Sequence, residues 1–160
     1  MPNPKSRRQT LKSFTAILGG FTLFSPTTKQ AFAQKPPVYT SRNADHALSG
    51  YDAVAYLKYA KAVKGAEDIS MKYRGATWFF SSHSNMDDFS ANPESYAPQF
   101  GGYCAYSVAK GELIKGDPEL WAIEDDKLYV NYNKGAHKLW LHRSADMIET
   151  AVGNLSLIHI

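Results

Sequence analysis

Cys104 is the only cysteine among 160 residues, and its thiol offers the widest chemistry in the chain. A thiolate can bind a soft metal or act as a nucleophile, whereas a buried thiol packs as a small apolar group. The preceding pair Gly101-Gly102 permits close approach of the backbone, which fits packing as well as ligand contact. Three roles for Cys104 therefore stay open: packing, contact with a metal or ligand, and redox or nucleophilic chemistry.

A metal held by Cys104 would need ligands from elsewhere in the fold. His83, in the segment SSHSN, is the candidate partner, since imidazole and thiolate together bind zinc and copper. His137 and His142 are five positions apart and do not share a helical face. The sequence contains no HExxH, CxxC, GxSxG or phosphate-binding loop. We therefore expect binding rather than catalysis and name no catalytic residue, although an enzymatic role for Cys104 stays open.

Aromatic side chains are plentiful beyond residue 33. They form either the core of a small domain or the wall of a pocket for an apolar ligand or another protein. Tyr51, Asp52 and Tyr103 are the predicted ligand-binding residues, because they are polar or amphipathic and follow glycines.

The amino-terminal segment has the three parts of a secretory signal. Four basic residues, Lys5, Arg7, Arg8 and Lys12, precede an apolar run over residues 14–24, and the small-x-small pattern Ala31-Phe32-Ala33 follows. This run of about eleven residues is shorter than the ~20 needed to span a bilayer. We expect cleavage after Ala33 and no membrane span in the mature chain; an amino-terminal anchor is the alternative.

Arg7, Arg8, Leu11 and Lys12 match the twin-arginine export motif. The sequence therefore predicts export to the periplasm, with the twin-arginine machinery as a partner. Residues 1–33 hold five of the 18 basic residues and no acid, which leaves 13 basic against 15 acidic residues, net −2. A mature chain without a basic excess or a dense basic run is not typical of nucleic-acid binding.

Residues beyond the signal predict one domain of short strands and short helices. Residues 34–45 are polar and proline-containing and predict a linker or loose arm. The predicted strands are DAVAYLKY (52–59), ISMKYRG (69–75), TWFFS (77–81) and two runs that flank Asp125-Asp126-Lys127. The strands at 69–75 and 77–81 form one predicted hairpin, and the two runs that flank Asp125-Asp126-Lys127 form another. No internal repeat is visible in the sequence.

Three segments predict helices. SNMDDFSANPESY has Ser84 as its N-cap and Pro93 at the start of a second turn. GGYCAYSVAKG opens at the glycine pair and stops at Gly111. The tail KGAHKLWLHRSADMIETAVGNL has four candidate buried positions: Leu139, Trp140, Ile148 and Val152. Because the strands and helices do not alternate as βαβ units, the fold class is α+β.

The segment YRGATWFFSSHSNMDDFSANPESY resembles the YHS domain, a small module of heavy-metal transport and copper-handling proteins. The matching positions are Tyr73, Gly75, Trp78, Phe80, Ser82, Phe89, Pro93 and Tyr96. GYDAVAY upstream, with YAPQFGGYCAYSVAKG and KLYVNYN downstream, is similar to an exported branch of that family. The resemblance covers about Ala47 to Leu141.

The resemblance implies three metal-binding cysteines, and this chain has none of them. Ala55, Ser81 and Asn85 stand at those positions. Copper(I) and zinc depend on thiolate ligands, which alanine cannot replace and neutral serine or asparagine replaces poorly. The cofactor is therefore unidentified, with a transition metal such as copper as the candidate.

These observations predict a signal at 1–33, a linker at 34–45, a YHS-like domain at 46–143 and a helix at 144–154. Residues 155–160 (LSLIHI) read as a non-native tail and are not expected to join the core. The expected function is periplasmic binding of a metal or small ligand. The alternatives are a module that binds a protein partner through an aromatic surface, and an enzyme that depends on Cys104.

Overall fold

The computed structural model describes residues 35–41 and 44–158, with the surroundings of side chains defined up to Leu155. The predicted signal motif and cleavage site lie outside the described residues and stay predictions. Two antiparallel two-stranded sheets and several short helices confirm the predicted α+β class. Within the described residues, no helix has the length and apolarity needed to cross a membrane.

The elements follow one another in two series. The first series is a 3-10 turn at Ala47–Gly50, α1 at Ala53–Tyr59, β1 at Ala66–Tyr73, β2 at Ala76–Phe80, α2 at His83–Ala91 and α3 at Pro93–Tyr96. The second series is a 3-10 turn at Gln99–Gly102, α4 at Ala105–Ala109, β3 at Asp117–Glu124, β4 at Lys127–Asn131 and α5 at Lys134–Ile158.

Helix α1 occupies the segment for which the sequence predicts a strand, and that prediction is wrong. The carboxylate of Asp52 accepts hydrogen bonds from the N–H groups of Val54 and Ala55, which satisfies donors that every helix start leaves free. The alanines of this segment are strong helix formers. Residues 53–56 are all buried, so the segment lacks the alternation of a half-buried strand.

Both predicted hairpins are present. In each one the two turn residues have positive φ: Arg74 and Gly75 in the first, Asp125 and Asp126 in the second. Such turns match the right-handed twist of the flanking strands. Each hairpin also has a break of register after the first strand pair, Ala66 with Phe80 and Asp117 with Asn131.

Helix boundaries differ from the predictions by a few residues. Ser82, and not Ser84, caps α2, since its hydroxyl accepts the N–H of Asn85 at 3.2 Å. Pro93 begins α3 as predicted. The pair Gly101-Gly102 belongs to the second 3-10 turn rather than to a helix, and α4 begins only after Cys104.

The two series repeat the same structure, although we saw no repeat in the sequence. Tyr51 pairs with Lys64 in an isolated antiparallel bridge, and Tyr103 pairs with Lys115 in the same way. The N–H of Asp52 donates to Val63 O at 2.8 Å, and the N–H of Cys104 donates to Ile114 O at 2.8 Å. Asp52 and Cys104 therefore occupy equivalent positions in two halves of one fold.

Each half supplies most of one hydrophobic cluster. The first cluster contains Trp78, Phe80 and Phe89, and the second contains Tyr129 and Trp140. These aromatic rings contact one another within each cluster, for example Trp78 with Phe89 at 4.9 Å between centroids. Most of the large aromatic side chains are therefore core residues.

Helix α5 is interrupted at Arg143, which has φ −144°. Of its four predicted buried positions, Trp140 is buried and Ile148 is half-buried. Leu139 and Val152 are 46% and 54% exposed, so those two predictions are wrong. They fail because only one side of the helix packs against the core, and neither residue lies fully on that side. The helix continues past residue 154, and Leu155 packs against the second cluster.

The predicted loose arm packs on the domain over residues 35–41, which we call the strap. Val38 is 3% exposed and joins the first cluster. The ring of Tyr39 meets that of Tyr103 edge to face at 5.6 Å, and the N–H of Tyr39 donates to Gly101 O at 2.8 Å. The strap is thus an ordered part of the fold, which local polarity does not indicate.

Candidate functional site

The carboxylate of Asp52 is fully buried and accepts hydrogen bonds on both oxygens. Oδ1 accepts from the N–H of Val54 at 2.9 Å and of Ala55 at 3.4 Å. Oδ2 accepts from the N–H and the hydroxyl of Ser81 at 2.8 and 2.6 Å, and from Nδ2 of Asn85 at 2.7 Å. We call Asp52, Ser81 and Asn85, with the Ala55 N–H, the Asp52 cluster.

The Asp52 cluster brings together the three positions at which the family resemblance implies cysteines. Ala55 contributes only its backbone, while Ser81 and Asn85 contribute neutral donors. A carboxylate has about four lone-pair directions, and here the chain's own donors already use them. The Asp52 cluster is therefore a hydrogen-bonded joint between α1, β2 and α2, and it presents no thiolate.

Cys104 lies at the equivalent position of the second half and is fully buried. Its thiol donates to Asn131 Oδ1 at 3.9 Å, and the N–H of Tyr106 donates to the same oxygen at 3.3 Å. Nδ2 of Asn131 lies 3.5 Å from Nδ1 of His137. Cys104 and Asn131, with His137 at their edge, form what we call the Cys104 cluster.

His83, the predicted metal partner of Cys104, is the first residue of α2 and is exposed. The histidine near Cys104 is instead His137, which the sequence analysis set aside. Across residues 35–41 and 44–158, no group of three or more His, Cys, Asp or Glu side chains is placed to hold a metal. The similar strings GYDA (50–53) and GYCA (102–105) are the sequence feature that could have shown the equivalence of Asp52 and Cys104.

The other two predicted ligand residues use their hydroxyl groups within the protein. Tyr51 donates to Glu119 at 2.7 Å, and this hydrogen bond to a carboxylate raises the pKa of Tyr51 to about 12. Tyr103 donates to the carbonyl of Pro36 in the strap at 2.9 Å, and burial raises the pKa of Tyr103. Both phenols stay neutral donors at physiological pH.

A groove of about 250 Å³ lies where α5 passes the second 3-10 turn and the hairpin turns of both halves. We call it the Tyr129 groove. Its apolar lining includes Ala97, Phe100, Tyr129, Ile148, Val152 and Leu155. Pockets for small ligands are generally concave and mostly apolar, with a few polar groups that fix orientation. None of Tyr51, Asp52, Tyr103, His83 and Cys104 lines this groove.

Three charged side chains also line the Tyr129 groove: Arg74, Glu94 and Lys127. A guanidinium nitrogen of Arg74 lies 3.0 Å from a carboxylate oxygen of Glu94, and the hydroxyl of Tyr73 donates to the same oxygen. Lys127 makes no ion pair with any described residue. Burial, and then the charges of Asp125 and Glu124, raise the pKa of Tyr129, so its hydroxyl remains protonated. The lining therefore has one cation in excess.

Sequence reasoning missed the Tyr129 groove because its lining comes from separate parts of the chain. Arg74 and Lys127 belong to the two hairpins, while Ile148 and Val152 belong to α5. Each of these residues by itself reads as an ordinary turn or helix residue. Only the tertiary packing of the first hairpin, the second hairpin and α5 brings them to one place.

Comparison with protein-family models matches residues 60–100 to the YHS domain. The match covers β1, β2, α2, α3 and the start of the second 3-10 turn, and it includes Ser81 and Asn85 of the Asp52 cluster. Neither a curated protein nor a solved structure matches the chain.

Proposed function

The chain carries a YHS domain over residues 60–100, and from this premise we propose that it is an exported protein that binds a small ligand in the Tyr129 groove. The observation that carries the proposal is the groove itself. It combines apolar side chains with two cations in its lining, as expected of a site that must both bind and orient a small molecule. Export to the periplasm is supported by Arg7, Arg8, Leu11 and Lys12 of the signal motif.

The Asp52 cluster supports ligand binding over thiolate-bound metal. YHS domains are loosely linked to metal handling, and the resemblance places that chemistry at residues 55, 81 and 85. In this chain those residues hold a carboxylate through hydrogen bonds. Soft metals need thiolates, so this part of the domain offers them no ligand set.

Titration with Nile red, a neutral apolar dye, tests the proposed site. Val152 lines the groove and is 54% exposed on α5, so Val152→Ser removes apolar wall at little risk to the fold. Leu139→Ser is the matched control, because Leu139 is a similarly exposed apolar residue of α5 outside the groove. We expect Val152→Ser to weaken dye binding and Leu139→Ser to leave it unchanged. No dye binding, or equal loss in both variants, would refute the groove as the site.

Weak metal binding at the Cys104 cluster is the second candidate. It is favoured by a buried thiol beside Asn131, with His137 Nδ1 at the edge of the same cluster. Copper titration should then be abolished by Cys104→Ala and weakened by His137→Gln. The enzyme alternative has less support, because a fully buried thiol is not open to a substrate. The aromatic-surface alternative has less support too, because most large aromatic residues lie in the two cores.

A further inference from the structure

The cations of the Tyr129 groove come from the hairpins of both halves. Arg74 is in the turn between β1 and β2, and Lys127 is the first residue of β4. Each hairpin therefore contributes one basic side chain to the groove, from positions that are not equivalent in the two halves.

The charges of the groove do not cancel among the described residues. Glu94 is neutralised by Arg74 at 3.0 Å and also accepts the hydroxyl of Tyr73. Lys127 has no such partner. The acids Glu124 and Asp125 act on Tyr129 but do not line the groove. The side chains that line the groove therefore carry one positive charge in excess, and Tyr129 adds a neutral hydroxyl donor.

Most of the other lining side chains are apolar, with Gln99 as an uncharged polar member. Phe100, Ile148 and Val152 provide a wall of aromatic and aliphatic side chains. Burial of apolar ligand surface against such a wall is favourable in proportion to the area removed from water. The groove thus has cations that attract a negative charge and apolar side chains that bind an apolar chain.

From this arrangement we infer that the ligand of the Tyr129 groove is a small anionic amphiphile, an organic acid with an apolar tail. This inference rests on the proposed function. The acid group lies at Lys127, and the tail lies along Phe100 and Ile148.

Isothermal titration with octanoate and octanol tests the charge of the ligand, because the two probes share a tail and differ in the head group. We expect octanoate to bind more tightly. Lys127→Gln should weaken octanoate about three- to fivefold, as expected for one partly exposed charge pair, and leave octanol unchanged. Lys138→Gln removes the same charge from an exposed position of α5 outside the groove, and it should change neither titration.

The outcomes separate this inference from the proposed function. Equal binding of octanoate and octanol, or an effect of Lys138→Gln equal to that of Lys127→Gln, overturns the inference and leaves a groove for neutral ligands. Binding of neither probe, with no Nile red binding, overturns both. If octanoate fails to bind while the protein sediments with phosphatidylglycerol vesicles, a membrane surface and not a free acid is the anionic partner, and the inference is wrong.

Discussion

Asp52 shows how one residue can set the character of a site. Its carboxylate caps α1 and also accepts from Ser81 and Asn85, which lie 29 and 33 positions further along the chain. A carboxylate is costly to bury unless donors surround it, and here five hydrogen bonds do so. The same hydrogen bonds join α1, β2 and α2. They also occupy residues 55, 81 and 85, the positions at which the resemblance implies metal-binding cysteines.

We expect Asp52→Ala to destabilise the protein by about 2–4 kcal/mol, because it removes a helix cap and takes the carboxylate acceptor away from the buried amide of Asn85 and from Ser81. The free energy of unfolding in urea measures this effect. Asp87→Ala, an exposed acid on α2, is the control and should change stability little. A loss below 1 kcal/mol for Asp52→Ala would show that the Asp52 cluster is not a structural joint.

Cys104 occupies the place of Asp52 in the second half, but among the described residues its side chain makes fewer and longer hydrogen bonds. The thiol is fully buried, and its one hydrogen bond among described residues, to Asn131, spans 3.9 Å. Such a thiol packs as a small apolar group, which favours the first of its three open roles.

We expect Cys104→Ser to lower stability by about 1–3 kcal/mol, because it buries a hydroxyl in a place shaped for sulfur, and Cys104→Ala to lower it less. Thermal melts of the two variants, with copper titrations beside them, measure the two roles separately. Unchanged melts together with lost copper binding would assign Cys104 to a metal site instead.

At the scale of elements, the strap depends on the second 3-10 turn. A Cβ at Gly101 would lie 1.8 Å from the carbonyl oxygen of Pro37, and Gly101 also has φ +63°. The turn can therefore accept the strap only with glycine at this position.

We expect Gly101→Ala to displace the strap and expose residues 35–41 to proteases. Gly111→Ala is a matched control, because Gly111 has φ +78° but nothing within 4 Å of its Cβ position. The control isolates the cost of positive φ, about 1–2 kcal/mol, and Gly101→Ala should cost more. Limited proteolysis and urea unfolding give the two readouts. If both variants lose the same stability and the strap of Gly101→Ala stays resistant to protease, the strap adjusts to the added methyl group and our prediction is wrong.

At the scale of the whole molecule, two halves with nearly the same order of elements differ in chemistry. The first half holds a charged residue in a fully hydrogen-bonded core, and the second holds a thiol at the same backbone position. The Tyr129 groove draws its charged residues from both halves and most of its apolar wall from the second. The proposed binding function therefore belongs to the combined fold rather than to residues 60–100 alone.

The proposed export also concerns the whole molecule. We expect replacement of both Arg7 and Arg8 by lysine to abolish the periplasmic form, because the twin-arginine receptor reads the motif and not only its charge. Immunoblots of periplasmic and cytoplasmic fractions measure this, and Lys5→Arg is the control that keeps both arginines and the net charge. An unchanged periplasmic yield would assign export to the general secretory route.

The sequence by itself determined the features that local rules govern. Asp125-Asp126 between two apolar runs fixes a hairpin, Pro93 fixes a helix start, and the mixture of short elements fixes the α+β class. The resemblance carried by residues 73–96 is confirmed by the match to the YHS domain.

Tertiary structure alone decided the strap, the repeated halves and the Tyr129 groove, and it contributed to α1. The strand prediction for residues 52–59 overlooked the local cap by Asp52, whose burial also depends on Ser81 and Asn85 from later elements. The strap and the groove likewise depend on contacts between residues far apart in the chain. Local propensity describes neighbours within a few positions, whereas burial and hydrogen bonding across the fold are set by which distant segments meet.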